Sequence, residues 1–409
     1  MNIGIESIHM HIPAYALDLR ELARARGVDY AKYRQGIGQE VMAVPPPDED
    51  VVTMGANAAR RALENVDPSA IRSVIFATES GIDQSKAAAI YVHKLLGLPS
   101  NCRTVEMKQA CCSSTSALHF ALASVALKPD QKVLVIAADV ARYGLASAGE
   151  PTQGAGAVAM VVSANPRILA LDSDVGYFTD DVMDFWRPNY RDEAMVDGKY
   201  SIKVYLNALE NCWRNYVEAT GASFGDFNHF CYHLPFSRMG LKAHLHLARM
   251  QKAGLSSREL QRQIEPSLAY NRLTGNAYTA SLYLGLLSLL DQTPEDLSGS
   301  RVGFFSYGSG CMGAFFGGTV LPGYQDHLGV ESRRRMLEGR EMLSYDMYES
   351  FYAHTLPDNG GAYRTPRNRT GEFRLAGVKD HQRIYEAVPG HILSAEAGPK
   401  ACAAAPVMG

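Results

Sequence analysis

The sequence has little net charge, no long apolar run and few cysteines, and each shortage excludes a class of protein. Its 409 residues carry 40 basic and 43 acidic side chains, for a formal net charge of −3. So small a charge gives no global field for binding nucleic acid or an acidic membrane surface. No window approaches about 18 uninterrupted apolar residues, and the N-terminus lacks a basic, apolar leader. We therefore expect a cytoplasmic protein that acts on small molecules, with no nucleic-acid or membrane partner.

The seven cysteines are odd in number and include no two CxxC pairs, so they signal neither a disulfide framework nor a zinc ribbon. We expect them to be reduced thiols. The chain also lacks the GxGxxG and GxxxxGK[ST] patterns, which leaves a dinucleotide loop and a Walker loop unsupported. Any reactive cysteine must therefore be argued for from its own surroundings.

Apolar runs alternate with helix-like patterns along residues 71–162, which predicts a layered α/β domain. A helix-like stretch returns at 275–290 and is followed by a strand and glycine turn at 300–310. No linker rich in Pro, Gly or Ser separates these regions, so we expect them to share an extensive interface. The low-complexity end, residues 396–409 with Cys402, is predicted to be disordered.

The order of elements hints at an internal repeat. Val133 follows Cys111 by 22 residues, and Val302 follows Asn276 by 26. Two interpretations stay open at this point: two related halves that join near residues 163–171, or the general likeness of any two βα units.

Cys111 lies where a predicted strand gives way to a helix rich in small residues, in EMKQACCSSTSALHFALASVAL. The unpaired N–H groups and the positive end of the helix would favour a thiolate there. Cys112 turns about 100° away around the helix and is predicted to pack. The alternative for Cys111 is an inert buried thiol.

Two further residues follow apolar strands in the same way. Glu79, in SVIFATESGID, comes just after a strand, where partial desolvation would raise its pKa towards that of a useful base. Its alternative is a helix-capping or salt-bridged acid. His233, in CYHLPFSRMGLKAH, could polarise a carbonyl or move a proton at neutral pH, and its alternative is a satisfied core histidine.

Charged and glycine-rich stretches supply weaker candidates. Arg238 and Lys242 could meet phosphates or could line a solvated helix face. The glycines around Ser309 allow backbone N–H groups to point at an oxyanion, although tight strand packing explains them equally well. The basic run ESRRRMLEGR, 331–340, is predicted to be a solvated helix face rather than a docking surface for an acidic partner.

Taken together, several stretches resemble the bacterial 3-hydroxy-3-methylglutaryl-CoA (HMG-CoA) synthases of the thiolase superfamily. The likeness covers nearly the whole chain and depends on many motifs in one order. They are GIGQEVMAV, TMGANAARRAL, ATESGID, EMKQAC, ARYGLASAGEPTQGAGAVAM, DFWRP, HLPFSRMGLKA, GNAYTASLYLGLLSLL and FSYGSG.

The resemblance implies a five-layer αβαβα sandwich built from two thiolase-like halves, 1–167 and 168–395, and a homodimer without organic cofactor or metal. It implies that Cys111 is the nucleophile, Glu79 the general acid/base and His233 the residue that handles the acceptor carbonyl. It places Tyr143 near the acetylated cysteine. The further residues expected to contact substrate or product are Asp29, Thr152, Ser201, Lys242, Asn276 and Ser309.

The implied reaction joins acetyl-CoA, through acetyl-Cys111, to acetoacetyl-CoA in the mevalonate pathway. Two departures qualify it. Cys112 replaces an aromatic residue found in many members, and KQAC resembles the relatives that install β-branches on polyketides bound to acyl carrier proteins. Those carrier-protein enzymes are the first alternative, and a non-catalytic acyl-thioester-binding scaffold is the second.

Overall fold

The apolar runs that predict strands form a mixed sheet of nine strands, with the order β11-β12-β13-β8-β1-β7-β6-β4-β5. The computed structural model describes residues 2–388, so the predicted tail and Cys402 lie outside the described residues. The strands are β1 (Ile3–His11), β2 (Tyr15–Asp18), β3 (Val41–Val44), β4 (Ile71–Ala77), β5 (Arg103–Met107), β6 (Lys132–Val140), β7 (Ala155–Ala164), β8 (Leu169–Thr179), β9 (Phe185–Trp186), β10 (Met195–Val196), β11 (His229–Tyr232), β12 (Arg301–Gly308), β13 (Met312–Val320), β14 (Glu341–Met342), β15 (Tyr363–Arg364), β16 (Phe373–Lys379) and β17 (Gln382–Ala387).

Ten α-helices of the described residues accompany these strands. They are α1 (Leu19–Arg26), α2 (Val51–Ala62), α3 (Ala88–Leu96), α4 (Ser113–Leu127), α5 (Gly198–Thr220), α6 (Ser237–Met250), α7 (Ser257–Thr274), α8 (Ser281–Gln292), α9 (Val330–Glu338) and α10 (Tyr345–Ala353). The predicted helix at 275–290 thus begins later than expected, because the single 3-10 turn Tyr278–Ala280 precedes α8.

The strands on the two sides of the β1–β8 contact are connected alike. In the first set β1 is antiparallel to β7, β7 is antiparallel to β6, and β6 is parallel to β4. In the second set β8, β13, β12 and β11 repeat these relations in the same order. This common topology supports two related halves, whose boundary at residue 167 stays a prediction.

Three groups of apolar side chains show where the helices pack. One cluster joins α2 and α3 to strands of the first half, and another joins α5 and α6 to strands of the second half. A third cluster contains α4 and α8 together with strands of both halves. These relations support the predicted five alternating layers, which themselves stay a prediction.

The register of the repeat differs from the predicted one. Helix α4 begins at Ser113 and α8 at Ser281, so the residues two positions before each helix are Cys111 and Thr279. The spacings counted from the sequence start at Cys111 and Asn276, whereas the structure puts Thr279, three residues after Asn276, in the place of Cys111. Counted from Thr279, Val302 follows by 23 residues, close to the 22 from Cys111 to Val133.

The segment Ala110–Leu127, which contains α4, is the one stretch of the described helices long and apolar enough to cross a membrane. Of its residues, 44% are buried. Because Ala117, Leu118 and Ala121 pack in the cluster shared by the two halves, we interpret α4 as a core helix.

The basic run at 331–340 forms α9 and the residues after it. Arg334 pairs with Glu331 and Glu338 on the exposed surface of the helix, as a solvated helix face requires. Arg333 contradicts that prediction, since its side chain is buried and forms an ion pair with Asp291.

Candidate active site

Cys111 lies in a tight turn two residues before α4. Ala110, just before it, has a φ of +45°, in the left-handed region that L residues avoid. The Ser113 hydroxyl fixes this turn, because its Oγ accepts the Gln109 N–H at 2.5 Å and donates to the Ala110 carbonyl at 2.7 Å. Strain that neighbouring contacts enforce is typical of functional sites. The thiol is therefore held in one place, at the predicted strand-to-helix junction.

The Cys111 thiol donates a hydrogen bond to the Glu79 carboxylate, with Sγ and Oε1 3.0 Å apart. Glu79 lies two residues after β4, and its side chain is half-buried. Burial, followed by the charge of Asp139, raises the pKa of Glu79 to about 8. The direction is the one predicted for a carboxylate at this strand end, and within the described residues Glu79 forms no salt bridge.

The resting thiol is not the thiolate that the sequence led us to expect. Burial, followed by the adjacent charge of Glu79, raises the pKa of Cys111 well above its ordinary value. The expectation of a helix-stabilised thiolate is therefore wrong, because desolvation and a nearby carboxylate outweigh the partial charge at the end of α4. Cys111 can become a nucleophile by passing its proton to Glu79.

Cys112 packs in the core, as predicted. Its side chain is fully buried, and burial raises the pKa of its thiol to about 11. A Cβ atom on Gly308 would lie 2.8 Å from Cys112 Cβ, so the glycine allows β12 to approach the start of α4.

Asp139, which was not predicted from the sequence, holds the loop that carries Glu79. Its Oδ1 accepts hydrogen bonds from the Thr78 hydroxyl at 2.8 Å and from the backbone N–H groups of Glu79 and Ser80, both at 2.9 Å. Its Oδ2 accepts the Thr279 N–H at 3.0 Å. A signal was available, since Asp139 and Glu79 each end an apolar run and β4 and β6 are parallel neighbours.

Arg187, in the DFWRP stretch after β9, is a second residue that the analysis missed. Its Nη2 donates to the main-chain carbonyl of Glu79. The guanidinium charge lowers the pKa of Glu79, opposing burial and Asp139. Arg187 therefore limits how far the carboxylate is protonated at neutral pH.

Aromatic rings surround the thiol. Cys111, Ala141, Tyr143 and Tyr278 form one buried cluster, against which Phe185 packs. The Phe185 ring lies edge-on to Tyr143 and Tyr278, with centroids 6.1 and 5.8 Å away. Tyr143 is thus in the predicted neighbourhood, whereas Tyr278 and Phe185 were not predicted.

His233 follows β11 and is buried. Its N–H donates to the Phe305 carbonyl at 2.8 Å, and its carbonyl accepts the Tyr205 hydroxyl at 2.9 Å. Burial lowers the pKa of His233 to about 3, so the imidazole is neutral. Its Nδ1 has no hydrogen-bond partner among the described residues, so it differs from a satisfied core histidine.

Asn276 and Thr152, both predicted to contact substrate or product, lie together. The Asn276 N–H donates to the Thr152 carbonyl at 3.0 Å. The Asn276 side-chain Oδ1 accepts the Tyr278 N–H and the Ser281 hydroxyl, both at 2.9 Å. Asn276 therefore shapes the turn that carries Tyr278.

The buried amide of Asn271 joins the His233 segment to the Asn276 segment. Its Nδ2 donates to the Leu234 carbonyl at 3.3 Å and to the Gly275 carbonyl at 3.0 Å. This one amide group therefore holds Leu234, which follows His233, close to Gly275, which precedes Asn276.

Ser309 and Ser201 are tied to the turn after β12. The Gln109 Nε2 group donates to the Ser309 carbonyl at 3.5 Å, which links that turn to the Cys111 loop. The Ser201 hydroxyl donates to Asp184 at 2.9 Å, and Asp184 also accepts the Gly310 N–H at 2.9 Å. The Ser201 hydroxyl proton is thus already engaged, which the sequence did not indicate.

Three predicted binding residues lie on the surface, away from this cluster. Asp29 is exposed, and its Oδ1 accepts the Ala31 N–H at 2.9 Å. Arg238 lines a groove of about 270 Å³ together with Glu40 and Glu265. The Lys242 ammonium lies 5.6 Å from the centroid of the Phe236 ring. Their predicted roles stay predictions. In the described part of the chain, no group of three or more His, Cys, Asp or Glu side chains is placed to hold a metal ion.

Two family models match this chain. The model described as hydroxymethylglutaryl-coenzyme A synthase N terminal matches residues 1–167. The model described as hydroxymethylglutaryl-coenzyme A synthase C terminal matches residues 169–252 and 246–351.

Individual relatives agree with these models. The chain is 47% identical to a hydroxymethylglutaryl-CoA synthase of Enterococcus faecalis, over 87% of this chain and 93% of that protein. It is 34% identical to a polyketide-biosynthesis 3-hydroxy-3-methylglutaryl-ACP synthase of Bacillus subtilis, over 98% and 96% respectively. A crystal structure of an HMG-CoA synthase complexed with CoA matches with a TM-score of 0.91 and 41% identity, covering 95% of this chain and all of that one.

Proposed function

The chain belongs to the hydroxymethylglutaryl-CoA synthase family, and we propose that Cys111, Glu79 and His233 are the residues that carry out its reaction. Enzymes of this family are condensing acyltransferases, and this chain is one of them. It joins the acetyl group of acetyl-CoA to acetoacetyl-CoA, takes up water, and releases HMG-CoA and CoA. The observation that carries the proposed roles is the contact between the Cys111 thiol and the Glu79 carboxylate.

The first step is acetylation of Cys111. The sulfur attacks the thioester carbonyl of acetyl-CoA while its proton passes to Glu79 Oε1, which is 3.0 Å away. The bond from the carbonyl carbon to the CoA sulfur then breaks, and the CoA sulfur leaves with the proton that Glu79 holds. The raised pKa of Glu79 suits a group that must both take and return a proton near neutral pH.

The second step makes a carbon nucleophile. Glu79, again ionised, removes a proton from the methyl group of acetyl-Cys111. The enolate that forms has negative charge in a buried site, and backbone N–H groups near Cys111 and Ser309 are proposed to stabilise it. The distance of 3.0 Å between Glu79 Oε1 and Cys111 Sγ supports this role, because the acetyl carbonyl carbon joins the methyl group to that sulfur.

The third step forms the new carbon–carbon bond. The enolate attacks C3 of acetoacetyl-CoA while His233 polarises the ketone. The alkoxide that forms receives, through His233, the proton that Glu79 took from the methyl group. An imidazole with a pKa of about 3 is neutral, so it acts as a hydrogen-bonding group rather than as a resting cation. Water then hydrolyses the thioester to Cys111 and frees HMG-CoA. None of these steps needs an organic cofactor or a metal ion.

The remaining predicted residues are proposed to bind substrate or product. Asn276, Thr152 and Ser309 belong to segments that hydrogen bonds connect to the site. We assign Arg238 and Lys242, which are exposed cations, to contacts with the phosphates of CoA, and Asp29 to a polar contact of the same ligand.

We also propose that the enzyme is a homodimer that works in the mevalonate pathway in the cytoplasm. Strand β5 is an edge strand, and apolar side chains are exposed on it and on α4, including Phe120 (59%) and Leu127 (84%). Such a surface favours a protein partner. The mass of the protein in solution checks the dimer, which Phe120→Glu is expected to weaken.

Carrier-protein-bound acyl groups are the alternative substrates, since the polyketide relative from Bacillus subtilis also matches almost the whole chain. The higher identity to the Enterococcus faecalis enzyme favours CoA thioesters. Turnover with CoA-bound substrates and with carrier-bound substrates compares the two directly. Faster acetylation by an acetyl carrier protein would overturn the preference for CoA, and no acetylation by either donor would favour a scaffold without turnover.

The roles of Cys111 and Glu79 separate in one variant. Glu79→Ala is expected to retain acetylation by acetyl-CoA at a reduced rate and to lose condensation. The variant loses the acceptor of the thiol proton, but it also loses the charge that raises the pKa of Cys111, whereas removal of a proton from carbon needs a positioned base. Intact mass reports the acetyl-enzyme, and HMG-CoA formation reports condensation. Glu106→Ala is the matched control, since Glu106 is a half-buried carboxylate on the neighbouring β5 that accepts the Ala88 N–H. Condensation by Glu79→Ala at the parent rate would show that the assigned base is wrong.

A further inference from the structure

Tyr278 holds a strained backbone conformation beside the nucleophile. Its φ is +42°, in the left-handed region that a bulky L residue rarely adopts. Two contacts enforce this conformation: Asn276 Oδ1 accepts the Tyr278 N–H at 2.9 Å, and Asp139 Oδ2 accepts the next N–H, from Thr279, at 3.0 Å. A conformation that costs free energy and is imposed from two sides is a reason to look for a function.

The hydroxyl group of Tyr278 adds a second cost. It is buried and has no hydrogen-bond partner among the described residues. A buried polar group without a partner is unfavourable, and such groups are rare in native proteins. Tyr283, five residues further on and equally buried, shows the usual outcome, because its hydroxyl lies 2.9 Å from the Thr115 hydroxyl.

The hydroxyl is a donor that keeps its proton. Burial, followed by the negative charges that Tyr143, Glu79 and Cys111 can carry, raises the pKa of Tyr278 well above its ordinary value. The ring belongs to the buried cluster that contains Cys111 and packs against Phe185. A neutral donor therefore belongs to the cluster around the sulfur, and no acceptor among the described residues lies within hydrogen-bond distance of it.

The reaction supplies an acceptor at this place. In the resting enzyme the Cys111 thiol donates its hydrogen bond to Glu79, and no acyl oxygen is present. Acetylation puts a carbonyl oxygen next to the sulfur, and enolate formation makes that oxygen negative. Glu79 loses its charge in the same step, so a donor to its carboxylate would oppose proton removal. A hydrogen-bond donor to the acyl oxygen, in contrast, stabilises the charge that forms there.

We propose that the Tyr278 hydroxyl donates a hydrogen bond to the acyl oxygen of the acetyl group on Cys111 and strengthens it as the enolate forms. The assignment rests on the proposed function, since it requires acetyl-Cys111. It makes Tyr278 a catalytic residue that adds a side-chain donor to the backbone N–H groups near Cys111. The strained turn and the idle hydroxyl are then the free-energy cost of having that donor in place before the acyl group arrives.

Tyr278→Phe tests this with two effects of opposite sign. Removing an idle buried hydroxyl leaves Tm equal to or above that of the parent. Removing a donor from the acyl oxygen lowers kcat about 100-fold, the lower end of the usual effect of losing one oxyanion donor. The direct readout is the infrared carbonyl stretch of the enzyme acetylated with ¹³C-labelled acetyl-CoA, which moves to higher wavenumber when a hydrogen bond is lost.

Tyr283→Phe is the matched control. It removes a hydroxyl that has a partner, so it lowers Tm, leaves the carbonyl stretch unchanged and keeps kcat within about twofold of the parent. A 2,3-difluorotyrosine at position 278 tests the contact without removing it, because the stronger donor moves the stretch to lower wavenumber.

The outcomes separate the two proposals. A Tyr278→Phe acetyl-enzyme whose carbonyl stretch equals that of the parent overturns the role of Tyr278, whatever its rate. A parent enzyme that forms no acetyl-enzyme overturns the covalent step of the proposed function instead.

Discussion

The turns that lead into α4 and α8 occupy the same place in the two halves but do different work. Three residues before each helix the backbone is left-handed, at Ala110 (φ +45°) and at Tyr278 (φ +42°). Four residues before each helix a backbone N–H donates to the first helical serine, Ser113 or Ser281. The turn before α4 presents the nucleophile, and the turn before α8 supports the loop that carries Glu79. The same backbone geometry therefore has two functions.

The difference lies in the residue two positions before the helix. Cys111 Sγ forms its hydrogen bond with a proton acceptor, Glu79, and is available for chemistry. Thr279, its counterpart, directs its Oγ1 to Asp139 Oδ2 at 2.5 Å and its carbonyl to the Ser114 hydroxyl at 2.6 Å. The second turn is thus fixed to the first half and supports the loop that holds Glu79.

The strand ends β4 and β11 make a second comparison. Strand β4 is the parallel neighbour of β6, and β11 is the parallel neighbour of β12. Each is followed within two residues by a titratable group, the half-buried Glu79 or the buried His233. Burial raises the pKa of Glu79 to about 8 and lowers the pKa of His233 to about 3. Desolvation favours the neutral form of both groups, which gives one site a proton acceptor near neutrality and a neutral hydrogen-bonding group.

The largest effect is expected when the imidazole is removed from the pair Glu79 and His233. His233→Ala is expected to slow condensation about 10²- to 10⁴-fold, the usual contribution of a positioned proton-transfer group, while acetylation of Cys111 continues. The rate of HMG-CoA formation and the intact mass after incubation with acetyl-CoA check both parts. His244→Gln is the control, since His244 is an equally buried imidazole that is engaged by Tyr232 and Gln263. An equal loss of acetylation in His233→Ala would contradict the division of roles.

The pH dependence sharpens the same comparison. The free enzyme attacks acetyl-CoA after the Cys111–Glu79 pair has lost one proton, and the pKa of Glu79 is about 8. The kcat/KM for acetyl-CoA should therefore rise about tenfold per pH unit from pH 6 and level off above about 8. His233, with a pKa of about 3, should add no inflection above pH 5. A single inflection near pH 4.5 would show that burial does not control Glu79.

Thr279→Val tests whether the turn before α8 supports the loop that carries Glu79. The variant removes a hydrogen bond from the buried Asp139 carboxylate, which should lower the free energy of unfolding by about 1–3 kcal/mol. Looser support of the Glu79 loop should lower kcat about tenfold. Chemical denaturation and steady-state kinetics measure the two effects, and Thr279→Ser should restore both because it keeps the hydroxyl. Thr279→Val with parental stability would leave the turn without its proposed function.

The smallest effect concerns the strain at the first turn. Ala110→Gly relieves the left-handed conformation at φ +45° but makes the unfolded chain more flexible, so the free energy of unfolding should rise by no more than about 1 kcal/mol. Thermal unfolding measures the change. A large loss of stability would mean that the Ala110 methyl group is needed for packing.

The sequence was sufficient for whatever depends on local pattern. Alternating runs predicted β4, β6, β7 and β12, and the strand-to-helix junction identified Cys111. It was not sufficient for contacts between distant segments. The hydrogen bond from Thr279 to Asp139 joins residues that are 140 positions apart, and no hydrophobic periodicity in the sequence predicts it.

The protonation of the site was also beyond the sequence. A helix start alone favours a thiolate at Cys111, but burial and the Glu79 carboxylate reverse that preference. Both influences depend on tertiary packing, which sets the dielectric surroundings and brings β4 against the start of α4. The strain and idle hydroxyl of Tyr278 are likewise visible only once the second turn is folded against the first half.

The central claim is that Cys111, and not the adjacent thiol, carries the acyl group. Incubation with acetyl-CoA followed by intact mass and peptide mapping should find an adduct of about 42 Da that is absent from Cys111→Ser and retained in Cys112→Ser. An adduct that persists in Cys111→Ser, or that disappears from a folded Cys112→Ser, would contradict the account.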